Sequence, residues 1–183
     1  MRIEGQFNGC IERYDLWHPE VPEAWDGKLI LHLSDLHVRA GRAISRVVGE
    51  LLRELAHVEA DLVVLTGDYP DKPRDEEAAG EVLERILAAS RVKPGRAFGI
   101  WGNHDSAGMR GKEAGWKGVR WLDGEGEDVG GGMAVAGMSF PEDVVGLIEG
   151  LDRAHISPRS HFVLTLVHYP TEVYSAAAAG LPL

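Results

Sequence analysis

Cysteine is almost absent from this sequence. Cys10 is the single thiol, so no internal disulfide can staple the chain. It lies among polar residues far from the segments discussed below and reads as a plain free thiol. Positive charge is also in short supply: 19 Lys and Arg stand against 29 Asp and Glu, a formal net charge of −10. That balance argues against a wide basic surface for nucleic acid and against docking on an anionic membrane. No apolar run approaches the ~18 residues of a membrane span. The opening MRIEGQFNGC has no apolar signal core behind a basic start, so a cytoplasmic location is the expectation. No GxxxxGKS or GxGxxG pattern follows a strand, and the glycines therefore read as turns and not as a phosphate cradle.

The 183 residues fit a single domain with a sizeable core, and 44% hydrophobic with 26% charged residues is an ordinary globular balance. The organising stretch is Leu29 to His37, LILHLSDLH, in which an apolar strand runs into a carboxylate and an imidazole two residues apart. Three later apolar runs also stop at metal-ligand types: LVVLTGD at Asp68, AFGIWGNHD at Asn103 to Asp105, and FVLTLVHYP at His168. Parallel strands end on one edge of their sheet, so side chains from four distant segments would converge there.

Between these runs the periodicity is helical. Ile44, Val47, Val48, Leu51, Leu52, Leu55 and Val58 form a one-sided stripe that predicts a helix from Ala43 to Ala60. Val82, Leu83, Ile86 and Leu87 predict another, ending near Ser90; its acidic start at Asp75, Glu76 and Glu77 is explained by the helix dipole and solvent. A third begins at Pro141, with Val144, Val145, Leu147, Ile148 and Leu151 directed to the core. A last short helix covers Thr171 to Ala179 and closes at Gly180.

The strands read as Cys10 to Trp17, Lys28 to Leu33, Leu62 onward, Ala97 to Trp101, a short Val119 to Leu122, GMAVAGMSF, and His161 to Val167. GEGEDVGGG reads as a hairpin turn. Trp17 and Trp25 read as packing aromatics, His32 as a packed or hydrogen-bonded histidine, and His57, His155 and His161 as surface imidazoles. The order βαβαβ, hairpin material, then βαβα argues an α/β layered fold with largely parallel strands.

Asp35, His37, Asp68, Asn103 and His168 offer carboxylate, imidazole and amide oxygen. Such mixed sets suit two divalent or trivalent ions such as manganese, iron or zinc. If Asp68 bridges, Asp35 and His37 complete part of one site, and Asn103 and His168 part of the other. Two ions roughly 3.5–4 Å apart polarise phosphoryl oxygens, lower the pKa of a shared water and align its attack, which is what hydrolysis of an anionic phosphate ester needs. His104 would protonate the leaving oxygen or neutralise the phosphate, and Asp105 would orient its imidazole. Taken singly, an Asp at a strand end is more often a turn or helix cap than a ligand.

Taken in order, DxH, GD, GNHD and a late strand-end His resemble the calcineurin-like metallophosphoesterase superfamily, over residues 29–183. The wording SDLH, TGDYPD, WGNHD and VHYP looks most like its bacterial predicted phosphohydrolases. The resemblance implies an α/β/β/α sandwich of two mixed sheets flanked by helices, with a dinuclear centre at the strand carboxyl ends. By motif, Asp35 and His37 would bind the first metal, Asp68 would bridge, Asn103 and His168 would bind the second, His104 would be the catalytic histidine and Asp105 its partner. Asp71 would stabilise the loop. Arg39 and Tyr69 lie near enough to reach substrate but read as solvated or packing residues.

Family members continue into another strand and a GHxH motif, which this chain stops before. The expectation is therefore a fold incomplete at its C-terminus, three protein ligands per ion at best, and an open strand edge suited to self-association. The substrate would be a small phosphate mono- or diester. Two other readings remain at this stage: a catalytically impaired remnant or interaction module that keeps the fold, and a metallohydrolase acting on an amide or another non-phosphorus centre.

Overall fold

The computed structural model describes residues 2–8, 11–41, 46–110, 116 and 118–181. Four strands, β3 (Ile30–Leu33), β4 (Leu62–Leu65), β5 (Ala97–Gly99) and β6 (Arg120–Trp121), lie in that order in one sheet and all run parallel. A second sheet has β7 (Glu125–Gly130) antiparallel to β8 (Met133–Gly137), which is parallel to β9 (Phe162–Leu166). The first sheet is thus parallel throughout its four described strands, and only the second is mixed.

Apolar residues on both faces of β4 explain the layering. Val63 and Leu65 pack with Leu31, Leu33 and the helices α1 (Arg46–Leu55) and α2 (Glu76–Ala89), through Leu55, Val82, Leu83 and Ile86. Leu62 and Val64 point the other way and join Phe98 and Ile100 against Met133, Val135, Phe162 and Leu166 of the second sheet. The outer face of that second sheet, with Ala134, Ala136 and Val163, is covered by Leu147 and Leu151 of α4 (Val144–Arg153) and by Ala176 of α5 (Glu172–Ala178). A short helix, α3 (Ala107–Arg110), follows β5. Helix, sheet, sheet, helix is the architecture expected from the sequence. A strand buried on both faces reads as a continuous apolar run, as LVVL does.

Several elements differ in detail. The strand expected from Cys10 is Ile11–Trp17 (β2), paired antiparallel along its whole length with a strand not anticipated, Arg2–Asn8 (β1); Cys10 lies outside the described residues. The described helix α1 is shorter than the predicted Ala43 to Ala60; Ala43 and Ile44 lie outside the described residues, and Val47 is 64% exposed, off the buried face. Residues read as the hairpin turn GEGEDVGGG are strand β7, and the turn itself is confined to its end.

Tertiary contact overrides the poor strand propensity of glycine there. A Cβ at Gly126 would come within 3.2 Å of Ile156 Cδ1 and press on Leu151, and one at Gly150 would meet the Gly124 carbonyl. Close approach at Gly150 also sets the buried face of α4 on Leu147, Gly150 and Leu151. Val145 and Ile148, expected in the core, are turned outward.

Asp75 is a further correction. It is 2% exposed and accepts the Ala40 N–H at 2.9 Å, tying the start of α2 to the loop after β3, so solvent and dipole do not account for it.

Candidate metal centre

The carboxyl ends of β3, β4, β5 and β9 meet at one edge of the two sheets, and each continues into a segment bearing the donor residues found in the sequence. The segments after β3 and β4 stay zipped together beyond the sheet: Asp35 N–H donates to Gly67 O at 3.0 Å, His37 N–H to Asp68 O at 3.1 Å, and Val38 N–H to Tyr69 O at 2.8 Å. This pairing holds Asp35, His37 and Asp68 in left-handed backbone conformations, with φ of 54°, 42° and 60°. Such φ values cost non-glycine residues about 1 kcal/mol or more each, and persist where surrounding bonds over-determine them, typically at functional sites.

The five donors form a continuous chain of contacts. His37 Nε2 lies 3.7 Å from Asp35 Oδ1 and 3.7 Å from Asp68 Oδ2. Asp68 Oδ1 lies 3.5 Å from His168 Nε2, which is 2.9 Å from Asn103 Oδ1. Asp68 is buried, and each of its oxygens faces a different histidine. Nδ1 of His168 is 2.7 Å from the Thr66 carbonyl, which can only accept, so Nδ1 carries a proton, and in the neutral ring Nε2 is the nitrogen left with a lone pair, on the side of Asp68 and Asn103. Acceptor atoms crowded in this way suit a cation. Ligand atoms of His37, Asp68 and His104 also lie within 4.8 Å of one another, a candidate metal-holding group.

His104 is exposed at the mouth of this cluster. Its ring stands edge-on to that of His37, centroids 5.0 Å apart, and its backbone N–H donates to Asp68 Oδ1 at 2.8 Å.

The carboxylate of Asp105, read from sequence as the partner of the His104 imidazole, is engaged by backbone amides. Oδ2 accepts the N–H groups of Asp68 at 2.9 Å and Gly102 at 2.6 Å, and Oδ1 accepts that of Tyr69 at 3.0 Å. These bonds brace the turn that carries Asp68. Burial pushes the Asp105 carboxyl above the usual carboxylate range against the opposing amide bonds, and the neighbouring Asp68 charge adds to the push.

Tyr69 is fully buried, its hydroxyl donating to Ile100 O at 2.6 Å and accepting from Gly67 N–H at 3.1 Å. Its ring packs edge-on against Trp101, Trp116 and Trp121, and burial holds its phenol well above the ordinary tyrosine range. Arg39 forks onto Asp71, 3.1 Å from Nε to Oδ2 and 3.3 Å from the second nitrogen to Oδ1, and so ties the two zipped segments together farther out.

Three residues that shape the site escaped the sequence reading. Ser34 donates to Asp35 Oδ2 at 2.5 Å, Thr66 anchors His168 through its carbonyl, and Gly102 leaves room for the Asp68 carboxylate. The Thr66 hydroxyl also lies 2.8 Å from His32 Nε2, a hydrogen-bonded histidine. Only Gly102, inside GNHD, carried a signal, since a glycine directly after a strand marks close backbone approach.

No helix among the described residues is long and apolar enough to cross a membrane. No curated protein matches the chain. A family model described as calcineurin-like phosphoesterase matches residues 28–173, which takes in every donor named above. With that match over most of its length, the chain belongs to the calcineurin-like phosphoesterase family.

Proposed function

We propose that this chain hydrolyses a small phosphate mono- or diester at a dinuclear metal centre. The observation that carries the reading is the two-sided setting of the buried Asp68 carboxylate, one oxygen 3.7 Å from His37 Nε2 and the other 3.5 Å from His168 Nε2. Asp35 and His37 would hold one ion, Asn103 and His168 the other, and Asp68 would bridge; manganese, iron and zinc suit these oxygen and nitrogen donors. When bound, such a pair supplies positive charge that polarises phosphoryl oxygens and lowers the pKa of water.

The remaining chemistry belongs to the chain's own residues. His104, exposed beside the donors and fixed through its backbone to Asp68, would give a proton to the leaving oxygen or neutralise the ester charge. Asp105 acts at one remove, by holding the Asp68 turn through three amides. Thr66 sets the His168 tautomer, so that Nε2 is available as a ligand.

The test combines elemental analysis of bound metal with hydrolysis of bis(p-nitrophenyl) phosphate. Asp68→Asn is expected to lower metal stoichiometry and abolish turnover. His104→Ala is expected to retain metal while kcat falls by about 10²–10⁴. Turnover that survives both substitutions would overturn the assignment, and metal loss in His104→Ala would make His104 a ligand.

A further inference from the structure

At the opposite edge of the sheets, where the strands begin, lies a cleft of about 310 Å³. Residues just ahead of three strands line it: Lys28 before β3, Asp61 before β4, and Lys93 and Arg96 before β5. Trp25 and the glycine turn between β7 and β8 close the far wall. β4 spans four residues, so this cleft and the metal centre are separated by about 13 Å of strand.

Four cationic side chains, Lys28, Arg91, Lys93 and Arg96, gather here against two carboxylates, Glu59 and Asp61, in a chain whose overall charge is −10. The local sign is therefore opposite to that of the whole. The Asp61 charge is already engaged: Oδ2 accepts Leu29 N–H at 3.0 Å and Oδ1 meets Lys28 Nζ at 3.0 Å.

Arg96 is held in place on two sides. One guanidinium nitrogen donates to Val129 O, and the guanidinium carbon stands 5.9 Å from the centre of the Trp25 ring, which is itself fixed by an indole N–H to Gly130 O bond of 2.9 Å. A guanidinium immobilised this way loses little entropy when its remaining N–H groups meet an oxyanion. The wall admits no bulk: a Cβ on Gly131 would come within 2.9 Å of Ala24 Cβ and 3.1 Å of the Trp25 indole nitrogen.

We infer that this cleft is a second site, separate from the metal centre, that binds a small phosphate-bearing anion. The guanidinium fork of Arg96 and the point charge of Lys93 together match a tetrahedral group presenting several oxygens, and the volume is at the small-ligand end of pocket sizes. The inference does not depend on the phosphoesterase reading.

Calorimetric titration of the full chain, freed of metal with EDTA so that the donor cluster offers this probe no cation, with pyrophosphate tests it. One saturable site is expected, weakened at least about tenfold by Lys93→Glu, which puts an anion where a cation stood, and weakened further when Arg96→Gln is added. Asp68→Asn is expected to leave this binding unchanged, and Lys93→Glu to leave hydrolysis of bis(p-nitrophenyl) phosphate unchanged. Absence of saturable binding, binding indifferent to both cleft substitutions, or binding lost in Asp68→Asn would overturn the inference. Citrate bound more tightly than pyrophosphate would overturn the phosphate assignment.

Discussion

Gly67 and Gly102 approach so closely that neither position has room for a side chain. A Cβ built on Gly67, whose φ is +101°, would lie 2.6 Å from Gly102 Cα; one built on Gly102 would run into the Asp68 carboxylate and stand 2.8 Å from Asp68 N and 2.9 Å from His168 Cε1. The groups it would meet belong to Asp68 and His168, two of the candidate metal donors, and neither is a flexible tip. Gly102→Ala is therefore expected to separate Asp68 from His168, to cost about 1–3 kcal/mol of stability, and to lower metal affinity by more than stability alone explains. Urea melts and metal titrations on the same preparations check this. Gly49→Ala is the control: it sits inside α1 with nothing within 4 Å of the new Cβ, and stabilisation of roughly 0.5–1 kcal/mol is expected.

Asp105 satisfies three backbone N–H groups in the interior, those of Asp68, Tyr69 and Gly102. Truncation to alanine would strand them, and an unsatisfied buried donor costs about 1–3 kcal/mol. Asp105→Ala is expected to destabilise by about 3 kcal/mol and to weaken metal binding through the loosened Asp68 turn. Asp105→Asn keeps one acceptor oxygen but aims an amide N–H at donors, so an intermediate loss is expected. Equal stability of all three proteins in urea would contradict this role.

Much of this arrangement is legible in the sequence, for a physical reason. Strands β4 and β5, buried throughout, are continuous apolar runs, and parallel strands share an edge at their carboxyl ends, so LILHLSDLH, LVVLTGD, AFGIWGNHD and FVLTLVHYP mark both the elements and their meeting place. Contacts that depend on three-dimensional approach are not legible. Adjacency suggests that Asp105 serves His104, yet the turn sends its carboxylate back to the amides of Asp68 and Tyr69. Val145 and Ile148 satisfy helical periodicity as well as Leu147 does, and only the close contact of Gly150 with Gly124 decides which side of α4 is buried. The strand β7 is hidden for the same reason, because its Gly126 makes room for Leu151 and Ile156.

Asp61 provides a pH-dependent test away from the metal centre. The Leu29 N–H bond, with Lys28 and Lys93 nearby, holds its carboxyl below the usual carboxylate range despite an opposing contribution from burial. A pKa lowered in the folded state gives stability that is present above the unfolded value of about 4 and is lost as pH falls through the lowered folded value. The stability gap between the wild type and Asp61→Asn is thus expected to be widest near neutral pH and to close on acidification below about pH 4. Urea midpoints across that range measure it. A gap that stays constant with pH would show that the carboxylate charge contributes nothing.

Tyr69 separates positioning from substrate contact. Its hydroxyl donates to Ile100 O at 2.6 Å and accepts from Gly67 N–H at 3.1 Å, so one group links the strand end before Asn103 to the turn before Asp68. Tyr69→Phe keeps the aromatic packing against Trp101 and Trp121 but leaves a buried carbonyl and a buried amide without that partner. A loss of about 1–3 kcal/mol in stability is expected. Because the side chain is fully buried, it cannot touch an ester arriving from solvent, so KM is expected to hold while kcat falls in step with metal occupancy. Steady-state kinetics across a metal titration decides the point: a raised KM with unchanged kcat would place the phenol in contact with substrate and contradict its burial.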